Sequence, residues 1–123
     1  MEAIKLLISI MCTGATSNKI KMDIIDVKRA YVHADALRYV YVKVPGEDQE
    51  EGTCGKLIKA MYGTRVAASN WERAYINFLK SNGFRSGKVS PCVFYHEEKE
   101  LRLVVHGDDF TITGPESQLD WFR

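Results

Sequence analysis

The sequence predicts an α+β fold in which helices pack on one face of a mainly antiparallel sheet. Apolar residues recur at helical spacing in two segments, whereas several shorter runs rich in β-branched and aromatic residues favour strands. The last strands follow one another after short polar turns, which is typical of an antiparallel meander. The 123 residues suffice for one domain with a real core, and 46% of them are hydrophobic, as in other folded chains.

The first predicted element is a helix at the N-terminus, which Gly14 would stop. Its buried face follows the i, i+3, i+4, i+7 spacing and consists of Ile4, Leu7, Ile8 and Met11. Lys5 interrupts the apolar run, which is also far too short to span a membrane. We therefore expect neither a signal peptide nor a transmembrane segment.

Two strands come next. The first covers residues 21–27, and the second covers residues 39–44, where Pro45-Gly46 ends it. Residues 47–55 are acidic and contain glycine, so they favour a loop. We expect a short helix between this loop and the long helix that follows.

The long helix has a predicted start at a capping box. Ser69 is the expected N-cap, and Glu72 stands three positions later, where it can reach back to the cap. Residues 81–83, Ser-Asn-Gly, stop the helix. Its apolar stripe consists of Trp71, Ala74, Tyr75, Phe78 and Leu79. A stripe at this spacing favours core packing over a surface for stacking bases.

The last third of the chain predicts a three-stranded meander. Residues 92–95 and 101–106 form a hairpin around residues 97–100, and a final strand follows until Pro115 breaks it. Residues 116–123 then begin another helix.

Charge and cysteine content restrict the function classes. The net charge of +1 gives no overall basic footprint for nucleic acid. The scattered cations have two interpretations: a local patch that faces phosphate groups, or a solvated surface, which is the commoner explanation. These cations are Lys19, Lys21, Lys28, Arg29, Lys56, Lys59 and Arg65. Three cysteines without paired spacing argue against a disulfide framework and for an intracellular compartment, cytoplasmic or nuclear.

The most informative stretch is the turn Gly107-Asp108-Asp109 between two apolar strands. Adjacent carboxylates repel each other and add nothing to a core, and a divalent cation is the usual compensation. Gly-Asp-Asp is also ordinary turn chemistry, and the turn taken alone favours that interpretation.

Asp26 provides a further acid near the end of the first strand. A carboxylate inside an apolar strand is expensive unless it is paired or bound to a metal. Antiparallel strands could bring Asp26 beside Asp108 and Asp109, and three clustered carboxylates would hold two Mg²⁺ or Mn²⁺ ions. Alternatively, Asp26 pairs with Lys28 or Arg29, or caps the segment after the strand.

Four segments in collinear order resemble the copia-type retrotransposon reverse transcriptases. Residues 26–33, Asp-Val-Lys-Arg-Ala-Tyr-Val-His, are similar to the first palm motif, Asp-Val-Lys-Thr-Ala-Phe-Leu-His. Residues 56–63 with Trp71 resemble the Leu-Tyr-Gly-Leu-Lys-Gln…Trp segment, and residues 81–94 resemble Leu-Gly-Phe…Asp-Pro-Ser-Leu-Phe. Residues 105–109, Val-His-Gly-Asp-Asp, occupy the place of the Tyr-Val-Asp-Asp box.

The resemblance implies a polymerase palm, here a single partial domain over residues 1–123 without most of the fingers, the thumb or RNase H. It implies an RNA-directed DNA polymerase of a Pol polyprotein, which adds deoxynucleoside triphosphates to a primer on an RNA or DNA template. Asp26 and Asp108 would bridge two metal ions, with Asp109 supporting them.

Further roles are implied for substrate-binding residues. Tyr31 matches the aromatic steric gate that selects deoxynucleotides over ribonucleotides, and it could equally be an aromatic packed on the sheet. Lys28 or Arg29 would contact triphosphate oxygens. The remaining domains of the polyprotein are the implied protein partners.

The chain also departs from the family pattern. Val66 stands where the family has a glutamine that faces the incoming nucleotide, and His106-Gly107 replace the Tyr-Val of the aspartate box. These positions touch nucleotide and primer, so we expect the isolated segment to lack activity. Two alternatives are a noncatalytic remnant with a nucleic-acid-binding or structural role and a different metal-dependent phosphotransfer enzyme. The latter leaves the collinear motifs without a role.

Overall fold

The computed structural model describes residues 2–13 and 20–123, which divide into two compact units. One unit comprises residues 1–28 and 78–123, and the other comprises residues 29–77. In chain order the elements are α1 (Glu2–Cys12), β1 (Ile20–Asp26), a 3-10 helix (Ala30–His33), β2 (Tyr41–Val42), β3 (Gly55–Lys56), α2 (Ala67–Ser81), β4 (Arg85–Ser86), β5 (Val93–His96), β6 (Leu101–His106), β7 (Asp109–Pro115) and α3 (Glu116–Phe122).

The first unit is built on a five-stranded antiparallel sheet with the strand order β1-β7-β6-β5-β4. The predicted meander is therefore confirmed as β5, β6 and β7. Strand β1, which comes first in the chain, pairs with β7, the last strand, along seven residue pairs. The α+β class that the sequence predicts is correct.

The middle of the sheet is buried on both sides. Successive residues of a strand face opposite sides of a sheet. In β7, Phe110 and Ile112 on one face and Thr111 and Thr113 on the other are all buried. The expectation that one face alone is covered therefore does not hold for this strand.

Helix α1 confirms part of its predicted apolar face. Leu7 is buried, whereas Ile8 is 43% exposed and Ile10 is half-buried in its place. The buried stripe thus lies slightly to one side of the predicted one. The predicted stop at Gly14 lies outside the described residues.

Helix α2 begins three residues earlier than the capping-box pattern predicts, with its cap position at Val66 instead of Ser69. Ser69 is not the N-cap, because it lies inside the first turn and its Oγ donates a hydrogen bond to the Val66 carbonyl at 2.9 Å. The Ser69 hydroxyl therefore bonds the carbonyl of the cap residue, and Val66 holds the cap position.

The apolar stripe of α2 also differs from the prediction at one position. Trp71, Tyr75 and Leu79 are buried at steps of four residues, whereas Phe78 is 61% exposed. Because the buried residues follow one another at i, i+4 and i+8, Phe78 lies at the edge of the buried face of the helix. The helix ends as predicted, since Phe84 and Gly83 donate backbone hydrogen bonds to the Leu79 and Lys80 carbonyls at 3.0 and 3.1 Å.

The second unit has less regular structure than the sequence predicts. The strand expected over residues 39–44 is reduced to β2, which pairs with β3 at the end of the predicted loop. The predicted short helix before α2 is wrong, because β3 and turns occupy that segment. A 3-10 helix instead follows β1.

Helix α3 starts after Pro115 as predicted and is tied to β1 by two ion pairs. Lys21 pairs with Glu116, and Arg123 Nη2 lies 2.8 Å from Asp23 Oδ2. The hydrogen bond and the charge of Lys21 lower the pKa of Glu116. Because the pKa is lower in the folded state, the pair stabilises the fold at neutral pH and loses this effect as the pH falls through the lowered pKa.

The described helices are all too short or too polar to cross a membrane. The three cysteines, all in described segments, are free thiols.

Gly114 in β7 provides a test of how closely the sheet is packed. A Cβ at this position would lie 2.6 Å from Leu101 Cδ2 and 3.2 Å from the Glu100 carbonyl oxygen, and Leu101 is fully buried. We expect Gly114→Ala to lower the free energy of unfolding by about 1–3 kcal/mol through overpacking. Urea denaturation measures this, with Gly46→Ala as the control, since a Cβ there meets nothing within 4 Å. Equal stability of the two variants would contradict the packing.

Candidate functional site

Two acidic residues face each other where β1 ends and β7 begins. Asp26 and Asp109 are direct partners in the antiparallel register. The Val27 N–H donates to the Asp108 carbonyl at 3.0 Å, on the flank of this pair. That bond marks a non-hydrogen-bonded pair, in which opposite Cα atoms lie about 4.5 Å apart. The two side chains therefore start from neighbouring points on the same face of the sheet.

A two-residue turn delivers the third acid. Gly107 and Asp108 connect His106, the end of β6, to Asp109. Gly107 has φ +66°, and Asp108 does not have a positive φ. This combination is typical of a type II′ hairpin turn, in which glycine occupies the first central position. Glycine adopts this φ without strain, and the family pattern has valine at this position.

The expectation that Asp26 meets Asp108 and Asp109 across the sheet is confirmed for the backbone. The premise about Asp26 is wrong in one respect, because its side chain is exposed at the end of the strand. Asp108 and Asp109 are exposed as well. Water therefore solvates all three carboxylates, and desolvation does not by itself require a cation.

The side chains do not form a ready-made metal centre. Within residues 2–13 and 20–123, no group of three or more His, Cys, Asp or Glu side chains is arranged to hold a metal ion. Carboxylate oxygens are nevertheless the ligands that Mg²⁺ and Mn²⁺ prefer. Like charges on adjacent positions repel, and a divalent cation bound between them would offset that repulsion. The donor chemistry fits a divalent cation, and the backbone puts the donors side by side.

His106 extends the acidic pair into a row across three strands. It is the direct partner of Asp109 on β6, so it shares a sheet face with Asp109 and Asp26. The sequence favours a strand residue at this position, and His106 is indeed the last residue of β6.

The other predicted site residues follow Asp26 closely in the chain but lie beyond the end of β1. Lys28 ends the first of the two segments that make up the first unit, and it is exposed. Arg29 begins the second unit in a left-handed conformation, with φ 56°. Tyr31, on the 3-10 helix, packs against Tyr62 with ring centroids 4.3 Å apart. Their contacts with a nucleotide stay predictions.

Several of the scattered cations have local partners. Lys21 pairs with Glu116, Lys59 pairs with Asp35, and Lys56 lies 4.0 Å from the ring centroid of Tyr39. Lys19 lies outside the described residues. The interpretation as a solvated, locally neutralised surface fits these lysines.

Sequence reasoning missed two arginines, Arg38 and Arg73, that line one cavity in the second unit. They are far apart in sequence and belong to no motif, so no local signal distinguishes them from other surface cations.

The comparisons with known proteins point in one direction. Residues 1–120 match the family described as reverse transcriptase (RNA-dependent DNA polymerase). The chain is similar to the retrovirus-related Pol polyprotein from transposon TNT 1-94 of Nicotiana tabacum, with 28% identity over 126 residues. This match covers 97% of the chain and 9% of the polyprotein, so the chain spans about a tenth of that relative. No solved structure matches the chain.

The facing carboxylates predict a measurable repulsion. In metal-free protein, Asp109→Asn should raise the free energy of unfolding by about 0.2–1 kcal/mol, nearer the lower value because the groups are exposed. In the Asp26→Asn background the same substitution should give no gain. Urea denaturation in EDTA at low salt measures both, and added NaCl should remove the gain.

The control for this cycle is Asp48→Asn, an exposed acid in the second unit. If Asp109→Asn gives the same change in both backgrounds, or the same change as Asp48→Asn, Asp26 and Asp109 are not neighbours.

Proposed function

The chain belongs to the reverse transcriptase (RNA-dependent DNA polymerase) family, and from this premise we propose that it is the palm core of a copia-type Pol polyprotein polymerase. The single observation that carries the proposal is the pairing of Asp26 with Asp109 beside Asp108. These acids come from two of the four collinear motifs. Asp26 and Asp108 are 82 positions apart in the sequence. The antiparallel sheet supports the assignment to a palm.

We assign the binding of two Mg²⁺ or Mn²⁺ ions to three carboxylates. Asp26 and Asp108 hold the ions, and Asp109 supports them. Divalent cations held there supply Lewis-acid stabilisation of negative charge on phosphate oxygens during nucleotidyl transfer. The three side chains are exposed on adjacent backbone positions, so rotation about their side-chain torsions brings them together without a change of the sheet.

The substrates are a template-primer of RNA or DNA and deoxynucleoside triphosphates. Tyr31 is the steric gate against a ribose 2′-hydroxyl, and its contact with Tyr62 limits the positions that its ring can adopt. Lys28 or Arg29 contacts triphosphate oxygens. The other domains of the polyprotein complete the positioning of both substrates, on which phosphoryl transfer depends.

A second candidate function is a noncatalytic remnant that binds nucleic acid or has a structural role. The observation that favours it is Val66, whose apolar side chain cannot replace the hydrogen bonds of a glutamine amide. This candidate keeps the fold and the carboxylates but predicts no primer extension.

The proposed metal site predicts where Mn²⁺ acts on the chain. In ¹⁵N-labelled protein, small amounts of Mn²⁺ should broaden the amide signals of residues 26–27 and 107–109 first. Asp26→Asn and Asp109→Asn should each weaken this effect, whereas Asp48→Asn should leave it unchanged. Broadening centred on the acidic residues 47–51 would contradict the metal site.

Polymerase activity is tested in a chimeric protein, in which residues 1–123 replace the matching segment of the tobacco Pol polyprotein. Template-dependent primer extension that is lost on Asp26→Asn and kept on Asp48→Asn supports the polymerase. The noncatalytic remnant would be supported instead if Mn²⁺ broadens the signals at the carboxylates but no primer extension occurs, even in the Val66→Gln variant.

A further inference from the structure

A cavity in the second unit has a cationic lining. Its volume is about 300 Å³. The residues that line it are Leu37, Arg38, Val66, Ser69, Asn70 and Arg73. No carboxylate is among them, so two positive charges face this space without an acidic side chain to balance them.

Neither arginine is neutralised by its surroundings. Among the described residues, the side chains of Arg38 and Arg73 have no ion pair and no hydrogen bond, although Lys59 in the same unit is paired with Asp35. Both side chains are exposed. Their guanidinium groups are thus free to reach a ligand, and a guanidinium presents a planar set of donors that matches oxyanions.

The start of α2 adds the positive end of a helix to the same cavity. The Asn70 N–H donates to the Val66 carbonyl at 3.0 Å, which puts Val66 at the cap position of this 15-residue helix. The Ala67 N–H donates to the Thr64 carbonyl at 3.2 Å. The other N–H groups of a helix's first turn have no acceptor within the helix, and a valine side chain has no oxygen to offer them. Such a helix end attracts anions.

Asn70 supplies an independent sign of a missing ligand. It is only 6% exposed, and its Nδ2 is buried without an acceptor in the described part of the chain. Asn70 also lines the cavity. A buried N–H without an acceptor destabilises a fold, and a bound anion beside Asn70 would supply the missing oxygen.

We propose that this cavity binds a phosphate group through Arg38, Arg73 and the Asn70 amide. Charge-assisted hydrogen bonds from two guanidinium groups are the strongest contacts a protein offers to phosphate oxygens. The site contains none of the three carboxylates, and its two arginines belong to none of the collinear motifs. Val66, which also lines it, stands where the family pattern has a glutamine that faces the nucleotide. The argument from Arg38, Arg73 and Asn70 does not rest on the proposed polymerase function. The phosphate comes either from the backbone of a nucleic-acid strand or from a free nucleotide or phosphate ion.

The test uses the whole chain in EDTA, with inorganic phosphate, a deoxynucleoside triphosphate and a short oligothymidylate as three separate probes. Binding should shift the NMR signals of the Asn70 side-chain amide. Arg38→Gln and Arg73→Gln should each weaken binding about tenfold, the loss of one charged hydrogen bond. Arg65→Gln is the matched control, because Arg65 is exposed in the same unit but does not line the cavity.

The probes identify the source of the phosphate. Oligothymidylate that displaces inorganic phosphate points to a strand backbone, whereas binding of the triphosphate and phosphate alone points to a free nucleotide. Asn70→Leu should reduce affinity while keeping or raising stability, because it removes the buried donor. Asp26→Asn should not alter phosphate binding, so failure of the metal site and failure of this site are distinguishable. Unchanged Asn70 signals with all three probes, or equal losses on Arg65→Gln, would overturn the proposal.

Discussion

The register between β1 and β7 is the constraint on which the candidate site depends. A shift of one residue turns every side chain of a strand to the other face of the sheet, and Asp26 would then no longer face Asp109. The hydrogen bond from Val27 to the Asp108 carbonyl fixes one end of this pairing. Burial of Phe110 in β7 opposite Ile25 adds an apolar penalty against a slip.

The other end of the pairing is fixed by charge. The ion pairs of Lys21 and Asp23 with helix α3 tie β1 to an element that follows β7 directly in the chain. Exposed ion pairs contribute little free energy each. Here they matter because a slipped strand would lose both of them together with the buried contacts.

The acidic row costs the fold little because it lies at the exposed margin of the sheet. Water and salt screen Asp26, Asp108 and Asp109, and the buried strands beside them supply the stability. The exposed ends of β1 and β7 thus carry the candidate site, whereas the buried residues of the sheet stabilise the fold. The second unit shows the same separation, since Arg38 and Arg73 of its cavity are exposed, and Arg73 lies on α2, whose opposite face buries Trp71 and Tyr75.

Local sequence signals predicted the parts of this fold that local chemistry decides. Pro115 ended β7, and the Ser-Asn-Gly segment ended α2, because each acts on its own neighbours. The predicted start of α2 was wrong, because the helix extends past the capping box to Ala67 and places Ser69 inside its first turn. The meeting of Asp26 with Asp109 followed from chemistry, whereas the cavity with Arg38 and Arg73 depends on tertiary packing that no spacing reveals.

The most direct test of the site is a nuclear Overhauser measurement between α-protons of β1 and β7. In a non-hydrogen-bonded antiparallel pair the two α-protons are close neighbours. The register predicts a strong cross-peak between Asp26 and Asp109, and another between Ile24 and Thr111. Cross-peaks that join Asp26 to a residue other than Asp109, or none between these strands, would contradict the account.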